Sequence, residues 1–385
     1  MPPMKKVYFD SAATTQLRSE VIRCISEVLK TEYGNPSSTH SYGRSSKSLL
    51  ENARKEIAGH LKVAASEIIF TSGGTEADNL VLQSCVRDLG VKRIITSKIE
   101  HHAVLHTVQE LQQQYDISVA YVKLDECGVV DFDHLESLLK ESNQKTLVSL
   151  MHVNNEVGTL LDLKRAATLT KAHNALFHSD TVQSVGHYEL DFSEIPIDFA
   201  AAAAHKFHGP KGAGFLFVRK NSNLKSIIHG GEQERGLRAG TEAVYAIAGM
   251  AEALKLSYQN LKKERTYILE LKDYFKQELA AKIQGVKFNG ACEDNERSTY
   301  TLLNVCLPIS QEKAMLLLFQ LDLKGIACSK GSACQSGSEK GSHVLSEILS
   351  EEDLKKPSIR FSFSSFNTKE EIDYVVEVLQ SFISE

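Results

Sequence analysis

Phe199-Ala-Ala-Ala-Ala-Ala-His205-Lys206-Phe-His208-Gly209-Pro210-Lys211-Gly212-Ala-Gly214-Phe-Leu-Phe-Val218 is the stretch around which the chain is organised. A run of small apolar residues enters His205-Lys206, a glycine-rich turn follows, and residues 215–218 leave as a second β-type run. The mouth of a buried strand is an unusual place for a strongly hydrated cation. There a lysine shifts its pKa readily, which suits it to Schiff-base chemistry. In isolation the same residue also reads as a turn lysine snorkelling to water.

The flanking sequence repeats the pattern. Strand-like runs recur at 68–70, 93–96, 119–122, 146–151, 176–178, 199–202 and 214–218, with helical periodicity between most of them, at 77–89, 103–114, 132–140 and 163–173. Alternation of this kind predicts an α/β fold with a mainly parallel seven-stranded sheet covered on both faces. Ligands of such sheets bind beyond the carboxyl ends of the strands. Before the sheet lie an extended arm (residues 1–15) and helices near 19–29 and 45–61. After it come a long helix near 241–283, a strand at 301–306, a helix at 311–321, a Ser/Gly/Lys-rich loop, a strand at 359–362 and a last helix from Lys369. The expected division is a large domain over 16–245 and a smaller α+β domain over 246–385, the long helix serving as hinge and the segment to about residue 60 packing with the smaller domain.

Composition narrows the function. The 385 residues are 42% hydrophobic and 24% charged, which is ordinary for a globular chain, and the net charge is −5 with no basic block, so nucleic acid is not an expected partner. No apolar run approaches the ~18 residues of a membrane span. The opening Met-Pro-Pro-Met-Lys-Lys leads to no apolar core of an export signal, and seven cysteines without Cys-x-x-Cys fit a reducing cytosol, so a cytoplasmic location is expected.

Several short motifs carry chemistry. Thr71-Ser-Gly73-Gly74-Thr75-Glu76 joins a strand to a helix, where glycines and free N–H groups can cradle a phosphate. It matches neither nucleotide fingerprint, Gly-x-x-x-x-Gly-Lys-Ser/Thr or Gly-x-Gly-x-x-Gly. His101-His102-x-x-x-His106 lacks the Glu of His-Glu-x-x-His and any evident third ligand, so no metal is expected. Asp180 follows a strand, where an Asp alone reads as an Asx-turn. Cys334 lies in a loop, about 328–342, and Arg360 lies in a late strand.

Together these stretches, with Gly34-Asn35-Pro-Ser-Ser-Thr-His40, Asn154-Asn155, Asp180-x-x-Gln183 and Arg238-Ala-Gly-Thr241, closely resemble the class V aminotransferase family of pyridoxal 5'-phosphate enzymes, and within it the group I cysteine desulfurases. The resemblance runs from Tyr8 to the C-terminal helix. It implies the fold type I transferase architecture and a role for each matching residue. Gly74, Thr75 and His205 would hold the cofactor phosphate, and Lys206 would carry the cofactor. His101 would stack over the pyridine ring and pass protons. Asp180 would face the pyridine nitrogen, with Asn155 and Gln183 at the phenolic oxygen. Thr241 would reach the phosphate of a partner subunit, which implies a homodimer. Asn35 and Arg360 would bind the carboxylate of L-cysteine. Cys334 would take the sulfur as a persulfide for an acceptor protein of iron–sulfur assembly or tRNA thiolation, and Lys330, in place of a serine, would favour its thiolate. One departure stands out: Ala203 occupies the position of a Ser or Thr phosphate ligand. Three alternatives stay open, namely a selenocysteine lyase or other β-lyase, an inactive scaffold of the same fold, and a zinc hydrolase on His102 and His106.

Overall fold

The computed structural model describes residues 5–330 and 341–384. After a short β1 (Val7–Tyr8), the predicted runs form β2 (Ile68–Thr71), β3 (Arg93–Thr96), β4 (Ser118–Tyr121), β5 (Thr146–Ser149), β6 (Leu176–Asp180), β7 (Phe199–Ala203) and β8 (Gly214–Val218). Strands β2 to β8 make one seven-stranded sheet in the order β2-β8-β7-β6-β5-β3-β4. Only β8 runs antiparallel to its neighbours. The pleat explains why these runs read as continuously apolar. Ile68, Phe70, Ala200, Ala202, Phe215 and Phe217 enter one core, while Ile69, Phe199, Ala201, Leu216 and Val218 enter the core on the other face.

Helices α1 (Ser19–Thr31), α2 (Ser41–Leu61), α5 (Phe132–Lys140) and α6 (Leu163–Ala172) cover the first face, and α3 (Gly74–Arg87) and α4 (His102–Gln114) cover the second. Asp131 and Asp162 cap α5 and α6 by accepting from the N–H groups of His134 and Arg165, each cap contributing about 1 kcal/mol. Helix α7 (Val244–Lys282) is 39 residues long, roughly 58 Å at 1.5 Å per residue. Its first half, Val244 to Leu254, lies in the large core. Its second half, Ile268 to Leu279, lies in a separate one.

That second core belongs to a smaller sheet, ordered β12-β10-β9, of β9 (Lys287–Asn289), β10 (Leu302–Cys306) and β12 (Ser358–Ser362), all antiparallel. Around it lie α8 (Gln311–Leu323), β11 (Ile326–Ala327) and α11 (Lys369–Ser384), while α9 (His343–Ile348) packs on Ile99 and Val157 and α10 (Glu351–Leu354) is tied to β9 by the Lys287–Asp353 pair. The N-terminal arm joins this unit: β1 pairs with β11 in parallel, and Phe9 packs on Phe275, Phe361 and Phe363. Beyond the arm, Val21 and Val28 of α1 and Leu50, Ala53 and Ile57 of α2 form apolar stripes turned to the large core, while Arg18 makes a bidentate pair with Glu264 of α7 at 2.8 and 2.7 Å.

Candidate active site

The carboxyl ends of β2, β3, β5, β6 and β7 open on a cavity of about 200 Å³. Gly74, Thr75, His101, Asn155, Asp180, Gln183, His205, Lys206 and Arg360 all line it, with Ala12, Ala13, Asp78 and Ala203. A larger open cleft of about 780 Å³ lies between residues 129–133, 160–165 and 295–297. Among the described residues it holds none of those singled out from the sequence, which gather in the smaller cavity.

Lys206 ends a single turn of 3-10 helix that follows β7. It does not snorkel outward: its Nζ donates to the carbonyls of Ala12 at 2.6 Å and Ala13 at 2.9 Å. Gln183 Nε2 donates to the same Ala12 carbonyl at 2.9 Å. His187 Nε2 meets the Lys206 carbonyl at 2.9 Å, which holds the turn from behind. The N-terminal arm therefore forms one wall of the cavity.

Asp180 closes β6, and its Oδ1 accepts from the Val182 N–H at 2.9 Å. It is thus an Asx-turn residue and a cavity residue at once. Burial pushes its pKa up to about 6, against the opposing pull of that hydrogen bond and of Lys206. Two further carboxylates are buried nearby. Glu100 accepts from Ser97 Oγ and the Met151 N–H, and burial raises it to about 8. Asp78, from α3, is 1% exposed and faces His178 Nε2 at 3.3 Å, while His178 Nδ1 meets Ser149 Oγ at 2.9 Å. Burial first, and then the charges of Asp180 and Glu100, hold Asp78 far above the ordinary carboxyl range. Three such acids cannot all ionise in one dry region. Asp180 is the one of the three that the charge of Lys206 pulls down, which leaves it the carboxylate best placed to be an anion.

His101 caps α4, its Nδ1 accepting from the Ala103 N–H at 3.1 Å. Burial and then Lys206 depress its pKa to about 4, so the ring is neutral and its proton sits on Nε2. His205 is likewise lowered to about 4 by burial and Lys206, and its buried Nδ1 has no hydrogen-bond partner. Arg360, 1% exposed, donates from Nη1 to the Asn155 carbonyl at 2.8 Å and from Nη2 to Asp10 at 2.9 Å. Ser329 Oγ donates to the same Asp10 oxygen at 2.8 Å. The buried Nε of Arg360 has no partner, which leaves one guanidinium edge for a carboxylate. Of the paired amides, Asn154 is structural: its side chain ties Ile99, Glu156 and Val157 together, while Asn155 lines the cavity.

Two expected residues lie elsewhere. Asn35 and Thr241 line a cleft of about 290 Å³ with Leu29, Tyr33 and Tyr245. Cys334 lies outside the described residues. The sequence did not single out Asp10, Asp78, or the carbonyls of Ala12 and Ala13. Only Asp78 left a signal, standing four residues after Gly74 on the helix face turned to the sheet.

A lysine at a strand end, a buried acid two residues past a histidine on the next strand, and a glycine-rich helix start at a third define a pyridoxal-phosphate transferase of the mainly parallel α/β kind. The class V aminotransferase family matches residues 7–375. The cysteine desulfurase IscS of Dictyoglomus turgidum is 40% identical over 98% of this chain and 95% of its own length. The putative cysteine desulfurase IscS 1 of Bacillus subtilis is 40% identical over 96% of each. Among solved structures, a NifS-like protein from Rickettsia africae superposes with a TM-score of 0.87 at 32% identity, over 99% of this chain and all of that one. SspA in complex with cysteine does so with a TM-score of 0.80 at 29% identity, over 94% and 100%. The chain belongs to the class V aminotransferases and, within them, to the cysteine desulfurases, which depend on pyridoxal 5'-phosphate.

The cavity fits that cofactor. A Cβ on Gly74 would lie 2.5 Å from Val182 Cγ2, so only glycine lets α3 begin this close to the Asp180 turn. The orphaned Nδ1 of His205 and the free N–H groups at the start of α3 suit a phosphate, and Asp180 suits a ring nitrogen.

Proposed function

We propose that this protein converts L-cysteine to L-alanine and carries the released sulfur as a persulfide on Cys334. The observation that carries the proposal is that Lys206, Asp180, His101 and Arg360, which come from four separate segments, share one cavity. In it, Gly74, Thr75 and His205 hold the cofactor phosphate, Asp180 its ring nitrogen, and Asn155 and Gln183 its phenolic oxygen. Bound pyridoxal phosphate supplies an electron sink for the bonds at the substrate's Cα and Cβ. Arg360 grips the substrate carboxylate with the edge that Asp10 and Asn155 leave open, and Asn35, which lies outside this cavity, joins it from a second copy. Lys206 Nζ takes the Cα proton, and neutral His101 holds a proton on Nε2 at the face of the ring. The Cys334 thiolate forms a bond to the substrate sulfur while the Cβ–S bond breaks, its electron pair staying on carbon, which is then protonated. Lys330, four residues before Cys334, favours the thiolate.

A homodimer completes the site. Support comes from Asn35 and Thr241 lying outside their own cavity, beside Leu29, Tyr33 and Tyr245, which are 58%, 72% and 43% exposed. An exposed apolar cleft of that kind suits a second copy. The persulfide then passes to an acceptor of iron–sulfur assembly or tRNA thiolation. The six described cysteines are free thiols, in keeping with a reducing cytosol.

The test is turnover of L-cysteine by the cofactor-loaded protein with a reducing thiol, alanine and sulfide being quantified together. Equal amounts over many turnovers are expected. Lys206→Ala should abolish both, and Cys334→Ala should abolish delivery to an acceptor. Delivery at the wild-type rate by Cys334→Ala would falsify the assignment.

A further inference from the structure

The segment that ends in Thr241 is tied to the phosphate cradle of its own protomer by one carboxylate. Glu76, in the first turn of α3, accepts from the Ser72 N–H with Oε2 at 2.9 Å and from Arg238 Nε with Oε1 at 3.0 Å. The pair is well covered, with side chains 11% and 24% exposed. Burial alone would raise Glu76, yet its hydrogen bonds to Ser72 and Arg238 hold it below the usual carboxyl value.

The rest of the segment behaves as one piece. At its start, Glu234 makes a buried bidentate pair with Arg54 at 2.7 and 2.8 Å and accepts from the Phe70 N–H of β2 at 2.8 Å. Glu234 and Arg235 both adopt positive φ, 46° and 60°, a conformation that side-chain residues hold only under constraint. At its end, Gln233 Oε1 accepts from the Gly240 N–H at 3.1 Å. Gly240 has φ +105°, and a Cβ there would lie 3.2 Å from Arg238 Nη1. Arg238 is therefore packed beneath the residue that precedes Thr241.

We propose that Glu76 and Arg238 are positioning residues through which the cradle of one protomer sets Thr241 for the site of its partner. This rests on the shared-site dimer proposed above. The two cofactor sites of the dimer would then be linked: the acid that holds the Ser72 N–H where the chain enters one cradle also fixes the hydroxyl offered to the other.

Mixed dimers test it. One chain carries Lys206→Ala, so that only its partner can bind the cofactor through lysine and give the corresponding visible absorbance. The dissociation constant for pyridoxal phosphate is read from that absorbance in the cofactor-free dimer. Adding Arg238→Gln, or in a separate dimer Glu76→Gln, to the Lys206→Ala chain should weaken binding in the untouched partner by about tenfold, the scale of one charge-assisted hydrogen bond. Thr241→Ala on the Lys206→Ala chain is the control. If Thr241→Ala weakens the partner and neither of the other two does, the positioning role is overturned and the shared site stands. If Thr241→Ala is itself silent across the dimer, the shared site falls and the positioning role with it.

Discussion

Ala203 stands where the resemblance leads one to expect a Ser or Thr phosphate ligand. It lines the cavity, and its Cβ lies 4.0 Å from where a Cβ on Gly74 would be, so a hydroxyl there would sit beside the phosphate cradle. A hydrogen bond to a charged acceptor contributes about 1.5–3 kcal/mol. Ala203→Ser should therefore lower the dissociation constant for pyridoxal phosphate by about tenfold or more, measured by absorbance titration of the cofactor-free protein. An unchanged constant would mean that another group already fills the position. At this scale the sequence was partly legible. Lys206, Asp180 and Arg360 could be picked out by residue type and resemblance. Asp78 was passed over: its spacing from Gly74 was a signal, but an Asp near the start of a helix is favoured by the helix dipole wherever it points. Only the structure shows it turned inward to His178. Nor could Asp10 be found, since its partner Arg360 is 350 residues away.

At the scale of elements, every predicted strand formed, most as β-branched and aromatic runs bounded by turn residues, and β7, Phe199–Ala203, as a small apolar run buried on both faces of the sheet. Helix starts were less legible. Helix α2 begins at Ser41 and not near 45, capped by the His40 ring, whose Nδ1 accepts from the Gly43 N–H at 3.2 Å. Histidine is an uncommon cap, so sequence alone gives it little weight. Helix α7 begins at Val244 and not at Thr241, because the residues before it belong to the segment anchored by Arg54 and Glu234. That buried pair makes the segment's hold on the large unit sensitive to single changes. Arg54→Met leaves the Glu234 carboxylate buried without its partner and should destabilise the protein by about 3–5 kcal/mol. Arg54→Met with Glu234→Leu removes the stranded charge and should recover most of that loss in denaturant melts. A double variant no better than the single one would show that the Phe70 N–H contact of Glu234, and not the ion pair, is what matters.

For the molecule as a whole, buried titratable groups set a pH dependence. His101, His152, His178, His205 and His208 are held at about 3 to 4, chiefly by burial. Unfolded, they take protons near pH 6.5, so as pH falls below that value the unfolded chain binds protons the fold refuses, and stability declines. Asp78, Asp180 and Glu100 act in the opposite sense. Their raised values keep protons in the fold that the unfolded chain loses above about pH 4, a contribution that fades as pH rises through about 6 for Asp180 and about 8 for Glu100. The histidines outnumber these acids. The melting temperature of the cofactor-free protein should rise from pH 4.5 to about 6.5 and flatten or dip towards 8. A steady fall between 4.5 and 6.5 would contradict the burial pattern. The α/β class was legible from the alternation of strands and helices. The resemblance already sent Thr241 to a second copy, but that Asn35 lines the same cleft as Thr241 and not the cavity was not legible, because the polar turn cluster around it carries no periodicity to show which way it faces.

The arm that walls the cavity has a consequence for how the protein is made. Val7 pairs with Ile326, Asp10 with Arg360, and the carbonyls of Ala12 and Ala13 hold Lys206. On the ribosome the arm emerges first and waits for partners synthesised more than 300 residues later. The large sheet can form early, yet its lysine stands in an unfinished wall until the strand carrying Arg360 has left the exit tunnel. A chain truncated before the strand that carries Arg360 therefore lacks one wall of the cavity.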